Sequence, residues 1–132
     1  MQITRQADYA VRAVLYLAGL NNGRRAPTSE IAREQKIPPS FLAKIVSQLS
    51  VAGVVQTSRG ARGGVSLARP SEEISLLEVI EAIDGPIMLN ECVHDPKACV
   101  FGENCPVQSI WRDAQAQLVR RLEDTNFASL AN

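Results

Sequence analysis

Apolar residues recur at intervals of three and four along the first part of this chain, and the recurrence breaks at defined points. Ala7, Ala10, Val11, Val14, Leu17 and Ala18 predict one face of a helix that Thr4 caps and that ends near Asn21-Asn22-Gly23. A second, shorter helix starts at Thr28 behind Pro27, carries Ile31 and Ala32, and runs to Gln35. Lys36-Ile37-Pro38-Pro39 forces a turn, because proline has no amide hydrogen and biases the residue before it away from the helical region. Ser40 then stands as the cap of a third helix with Leu42, Ile45, Val46 and Leu49 as its buried stripe and Gly53 as its stop. Two helices split by a tight turn predict a helix-turn-helix.

The period then changes from helix to strand. Val54-Val55-Gln56-Thr57 and Val65-Ser66-Leu67-Ala68 read as two short strands around Ser58-Arg59-Gly60-Ala61-Arg62-Gly63-Gly64, a glycine-rich hairpin with two arginines at its tip. A hairpin beside a recognition helix predicts a winged helix-turn-helix, with Arg59 and Arg62 suited to phosphates or a narrow minor groove. Off the apolar stripe of the third helix lie Ser40, Lys44, Ser47 and Gln48, the candidate base readers, lysine suiting guanine and glutamine adenine. After Pro70, the residues Ile74, Leu77, Ile80 and Ile83 mark a fourth helix closed by Gly85-Pro86. Pro106 opens a long helix with Val107, Ile110, Trp111, Ala114, Leu118 and Leu122 on one stripe, and a terminal helix of this kind predicts a symmetric dimer over a two-fold site. The fold class is thus mainly α with a small β-hairpin wing: residues 1–70 a winged helix-turn-helix, residues 71–132 a loop and dimerisation helix, in one compact chain.

Charge sharpens this division. The net charge is zero, yet residues 1–70 hold ten Lys and Arg against three Asp and Glu, while residues 71–132 hold four against eleven. A basic half points at a polyanion, here double-stranded DNA. At 45% hydrophobic residues the chain can bury a core. It shows neither an apolar run long enough for a bilayer nor the charged start and apolar stretch of a signal peptide, so a cytoplasmic, reducing location is expected. Without a glycine-rich phosphate loop after a strand or a Gly-x-Ser-x-Gly, and with one histidine, the chain does not read as an enzyme.

All three cysteines, Cys92, Cys99 and Cys105, fall in one loop of the second half. An odd number cannot close entirely into disulfides, and soft thiolates favour an iron-sulfur cluster or zinc. Zinc sites usually show a close Cys-x-x-Cys pair; here six and five residues separate the cysteines, which favours a cluster.

Tyr9-Ala10-Val11-Arg12-Ala13, the wing Arg59-Gly60-Ala61-Arg62-Gly63-Gly64-Val65-Ser66-Leu67-Ala68 and the three-cysteine loop together resemble the Rrf-two (Rrf2) family of winged-helix regulators, nearly throughout the chain. The resemblance, to its IscR and NsrR types, implies a homodimer with an iron-sulfur cluster in each subunit and a pseudo-palindromic operator. A 4Fe-4S cluster is favoured over 2Fe-2S. In the IscR type a histidine stands three residues after the last cysteine, where this chain has Gln108. In the NsrR type an aspartate near the start of the first helix reaches in from the partner subunit, and Asp8 stands in the matching place. The resemblance therefore favours Asp8 as fourth ligand; His94 is the rival, and water, Gln108 or a small thiol are further alternatives. The expected protein is a DNA-binding repressor whose cluster senses nitric oxide, iron or cluster supply, or redox stress. The alternative is a zinc-binding or metal-free winged-helix regulator with a cysteine-based redox switch.

Overall fold

Thr4 sets the start of the chain's central element. Its extended backbone brings the hydroxyl to accept the Ala7 N–H at 3.1 Å, and α1 (Arg5–Ala18) follows. The computed structural model describes residues 2–95, 97 and 100–131, with the side chains of Asn22, His94 and Glu103 left aside. After α1 come α2 (Thr28–Gln35), α3 (Pro39–Val51), β1 (Val55–Ser58), β2 (Gly64–Leu67), α4 (Leu76–Asp84), α5 (Glu91–His94), α6 (Gln108–Glu123) and α7 (Phe127–Ala131). The expected mainly α chain with a hairpin wing is the architecture found.

Helix α1 lies at the centre and packs against α2, α3, α4 and α7. Ala7, Ala10 and Ala13 are all buried, and side chains this small let neighbouring helices approach closely. Val14 and Leu17 of α1 join Ile31, Leu42, Ile45, Leu49, Val54 and Val65 of the basic half in one core, which also includes Ile74, Val79 and Phe127 from the second half. The prolines make the expected turn after α2: Lys36 caps it in the left-handed region (φ 55°), its N–H bonded to the Ala32 carbonyl.

Several boundaries differ from the sequence reading for identifiable reasons. Helix α3 begins at Pro39, whose fixed φ suits a first helical position, so Ser40 lies in the first turn instead of capping it. Strand β1 begins one residue late because the Val54 N–H still closes the end of α3 on the Leu49 carbonyl at 3.0 Å. The fourth helix starts at Leu76, capped by Ser75, because Ile74 is held as extended chain: its carbonyl accepts the Phe127 N–H at 3.1 Å, and the Leu76 N–H reaches the Thr125 carbonyl at 2.8 Å. The long helix opens at Gln108, two residues beyond Pro106. Helices α5 and α7 were not anticipated. Four-residue α5 is too short for periodicity to register, and α7 follows a break at Asp124 that leaves only five residues.

Thr4 and Arg69 add polar contacts that join the acidic half to α1 and the wing. Thr4 donates its backbone N–H and its hydroxyl to the Asp84 carboxylate at the end of α4. Arg69, leaving the wing, pairs with Glu78 of α4 and donates to the Gly53 and Glu73 carbonyls at 3.3 and 3.1 Å. Phe127 is fully buried against α1, so Phe127→Ala is expected to lower unfolding free energy by about 3–5 kcal/mol in urea denaturation, in one cooperative transition. Loss confined to a C-terminal fraying signal would show that α7 is not part of the core.

Candidate DNA-reading face and cysteine loop

Helix α2 is fixed to α1 partly by polar contacts. Tyr16 of α1 donates its hydroxyl to Glu30 of α2, which also pairs with Arg24 at 2.8 Å. That hydrogen bond keeps the Glu30 carboxyl below its usual range and raises the Tyr16 phenol. The arrangement leaves the outer face of α3 to solvent. Ser40, Lys44 and Ser47 are exposed and Gln48 is half-buried, opposite the buried stripe Leu42, Ile45, Val46 and Leu49. Phe41 on the same helix leans against Tyr9 of α1, ring centroids 6.2 Å apart.

The wing is an antiparallel pair in the register Val55↔Leu67 to Ser58↔Gly64. Ala26, just before α2, bridges to Val65 through two backbone bonds of 2.9 and 2.8 Å, so a third segment supports the hairpin. This crossing explains Gly64, and the turn of the hairpin itself explains Gly63. A Cβ on Gly64 would lie 2.7 Å from the Ala26 carbonyl oxygen, and one on Gly63 only 2.4 Å from that of Ser58. Arg59 and Arg62 are exposed at the tip, and the Arg25 guanidinium donates to the Arg62 carbonyl at 3.5 Å. Among the described residues no carboxylate forms an ion pair with Lys44, Arg59, Arg62 or Arg25. Arg25 is the cation that sequence reading missed; its place beside the wing depends on the Ala26–Val65 bridge, a long-range pairing without a local signal.

Farther along the chain, Cys92 lies in α5 and Cys105 immediately before the turn into α6; both are half-buried free thiols. Cys99 and the His94 side chain lie outside the described residues. Asn90 caps α5, and the Leu89 N–H donates to Gln115 Oε1 of α6 at 2.9 Å. Gln108, buried at 4% exposure, donates its Nε2 to the Cys92 carbonyl at 2.8 Å and its backbone N–H to the Cys105 carbonyl at 3.2 Å. Asp8 is half-exposed and pairs with Arg12 one turn on at 3.0 Å. Among the described residues no three His, Cys, Asp or Glu side chains gather around one point. As a donor set, two free soft thiols with a third cysteine between them in sequence fit an iron-sulfur cluster or zinc.

Helix α6 leaves much of its apolar stripe uncovered. Val107, Ile110 and Trp111 are 48, 59 and 41% exposed, and Ala114 is exposed too, while Leu118 and Leu122 are half-buried. No helix among the described residues is long and apolar enough to cross a membrane.

Residues 3–132 match the Rrf2 family, described as iron-dependent transcriptional regulators. A Mycobacterium tuberculosis protein named as an HTH-type transcriptional regulator is 35% identical over 131 residues, covering 99% of this chain and 81% of its own. One from Aquifex aeolicus named in the same way is 36% identical over 126 residues, covering 94% and 87%. Among solved structures, CymR, the global cysteine regulator of B. subtilis, superposes with a TM-score of 0.85 at 23% identity, covering 99% of this chain and 96% of its own. T. potens IscR superposes at 0.79 with 22% identity, covering 98% and 85%. Those two likenesses bear on the fold, which is that of a winged-helix regulator. With a family match over nearly its whole length and relatives above one-third identity, the chain belongs to the Rrf2 family of transcriptional regulators and is a DNA-binding regulator, not an enzyme.

Proposed function

We propose that this regulator is a cytoplasmic homodimeric repressor that binds a pseudo-palindromic operator under the control of an iron-sulfur cluster. Residues 1–70 do the reading, and residues 71–132 sense and dimerise. One observation carries the reading: the chain combines an acid-free cationic wing and a polar α3 face with two free cysteines whose backbone carbonyls bond to Gln108 of α6. In the complex, Ser40, Lys44, Ser47 and Gln48 meet base edges in the major groove while Arg59 and Arg62 meet backbone or minor groove. A second copy covers the exposed stripe of α6, because large apolar side chains on one face mark an interaction surface and a two-fold pairing presents two reading heads.

Cys92, Cys99 and Cys105 would hold the cluster, 4Fe-4S in preference to 2Fe-2S, with Asp8 of the partner subunit as fourth ligand and His94 as its rival. When bound, the cluster supplies a centre that reacts with nitric oxide or oxygen and responds to iron or cluster supply. Asp8 sits in the first turns of α1, the helix against which α2 and α3 pack, so a ligand role there would tie sensing to the reading head. Half-sites one helical turn apart tolerate little change in head spacing, and a shift of about 1.4 kcal/mol is already tenfold in affinity. A second reading, a zinc-binding or metal-free regulator with a cysteine redox switch, draws on the likeness to CymR, which includes a 25% identical S. aureus CymR in its oxidised form at a TM-score of 0.79.

Anaerobically purified protein is expected to be brown, with iron and acid-labile sulfide in near-equal amounts; replacing Cys92, Cys99 or Cys105 by Ala should bleach it. Colourless protein with stoichiometric zinc, or with no metal, would select the second reading. Arg59→Ala should weaken operator binding by about 1–3 kcal/mol if it enters a groove, measured by anisotropy, whereas a lone phosphate contact lowers the salt slope by about one. Changes at Lys44 and Gln48 should shift sequence preference; unchanged affinity in all three variants would remove these residues from the interface. Asp8→Ala should keep fold and dimer, since the half-exposed pair with Arg12 is worth only about 0.3–0.5 kcal/mol, but should uncouple operator binding from cluster state. His94→Ala should leave that coupling in place, and the reverse pattern would make His94 the ligand.

A further inference from the structure

Helix α5 spans four residues, and residue 96 is a proline. In a continuing helix the N–H of residue 96 would bond the carbonyl of Cys92, but proline has no N–H to give. The preceding carbonyl, that of Glu91, has its helical partner in the Asp95 N–H at 2.8 Å. The Cys92 carbonyl is instead met by Gln108 Nε2 at 2.8 Å, from a side chain that is itself buried. The backbone N–H of Gln108, one of the donors a helix start leaves open, goes to the Cys105 carbonyl at 3.2 Å. One residue therefore holds the main chain at two cysteines. Two turns along α6, Gln115 accepts the Leu89 N–H at 2.9 Å, so the segment entering the loop is bonded to the same helix at a second point.

We propose that Gln108 is a positioning residue that presets the Cys92 and Cys105 backbones on the first turn of α6 before any metal binds, with Gln115 seating the segment ahead of them. The inference deepens the cluster reading and takes its purpose from it, but the seat is a property of the metal-free chain. A thiol pair already held in place has less conformational freedom to lose when it binds, so retention of the metal benefits from the seat.

The test uses the full chain with two variants. Gln108→Leu keeps a comparable volume without a donor, and Gln108→Glu keeps the shape while its ionised form can only accept. In metal-free, reduced protein, amide hydrogen exchange across residues 89–95 is expected to quicken about tenfold in both variants while α1 to α3 are unchanged. Alkylation of Cys92 should quicken alongside, and cluster-loaded variants should release iron to a chelator about tenfold faster. Metal-free exchange and alkylation equal to the parent in both variants would overturn the proposal, and iron loss without that loosening would make Gln108 a ligand rather than a seat. A parent protein that holds no cluster would defeat the cluster reading, and the metal-free measurements would still decide the seat.

Discussion

Everything in this molecule depends on burying α1 from several sides at once. Its inner positions are Ala7, Ala10, Ala13, Val14 and Leu17, and the three alanines allow α2, α3, α4 and α7 to close around a single helix. Larger side chains there would hold the helices apart, since a packed interior accommodates added volume poorly. Because the basic half and the acidic half share this one helix, they share a core as well: Leu42 and Ile45 belong to the same cluster as Val79 and Phe127. Any displacement of α4 is thus felt at α1, through packing and through the Thr4–Asp84 contact at its first turn.

Local signals are legible in the sequence where chemistry and position coincide. Thr4 as a cap, the prolines after Lys36, and the stripes of α1 and α3 were all legible, because each element's buried face has the helical period and each boundary has a residue with a steric reason to stand there. The wing was legible as a hairpin, but the need for both Gly63 and Gly64 was not. It comes from the Ser58 carbonyl across the turn and from Ala26, whose crossing to Val65 joins residues thirty-nine positions apart. The same crossing sets Arg25 beside Arg62, a neighbour no periodicity reveals. Ile74 illustrates the opposite failure: its spacing matches a helical stripe, yet the Phe127 N–H bonds its carbonyl and the Leu76 N–H bonds the Thr125 carbonyl, which holds that stretch extended.

At the cysteine loop the sequence showed the donors but not their support. Three cysteines in one segment are visible at once, and the resemblance adds candidate partners at Asp8 and His94. Gln108 could be weighed there only as a substitute for a histidine ligand, because ligand chemistry is attached to residue type while a hydrogen-bonding role is attached to geometry. The clue was nonetheless present in the sequence, four residues after Cys92, where Pro96 deprives that carbonyl of its helical donor. That carbonyl takes its donor from elsewhere in the fold, the Gln108 Nε2 at 2.8 Å.

The division of charge has its own structural logic. Opposite halves could have neutralised each other across an internal seam, but among the described residues three of the four ion pairs, Asp8–Arg12, Arg24–Glu30 and Arg33–Glu34, lie within the basic half, and only Arg69–Glu78 joins the two. The acids of the basic half are therefore occupied at α1 and α2, away from the wing tip and from Lys44 on α3. Those remaining cations keep their full attraction for a polyanion, while the acidic half is repelled by the same phosphates. Under the proposed reading, long-range steering favours approach with α3 and the wing foremost, and the charge pattern orients the encounter before any base is read.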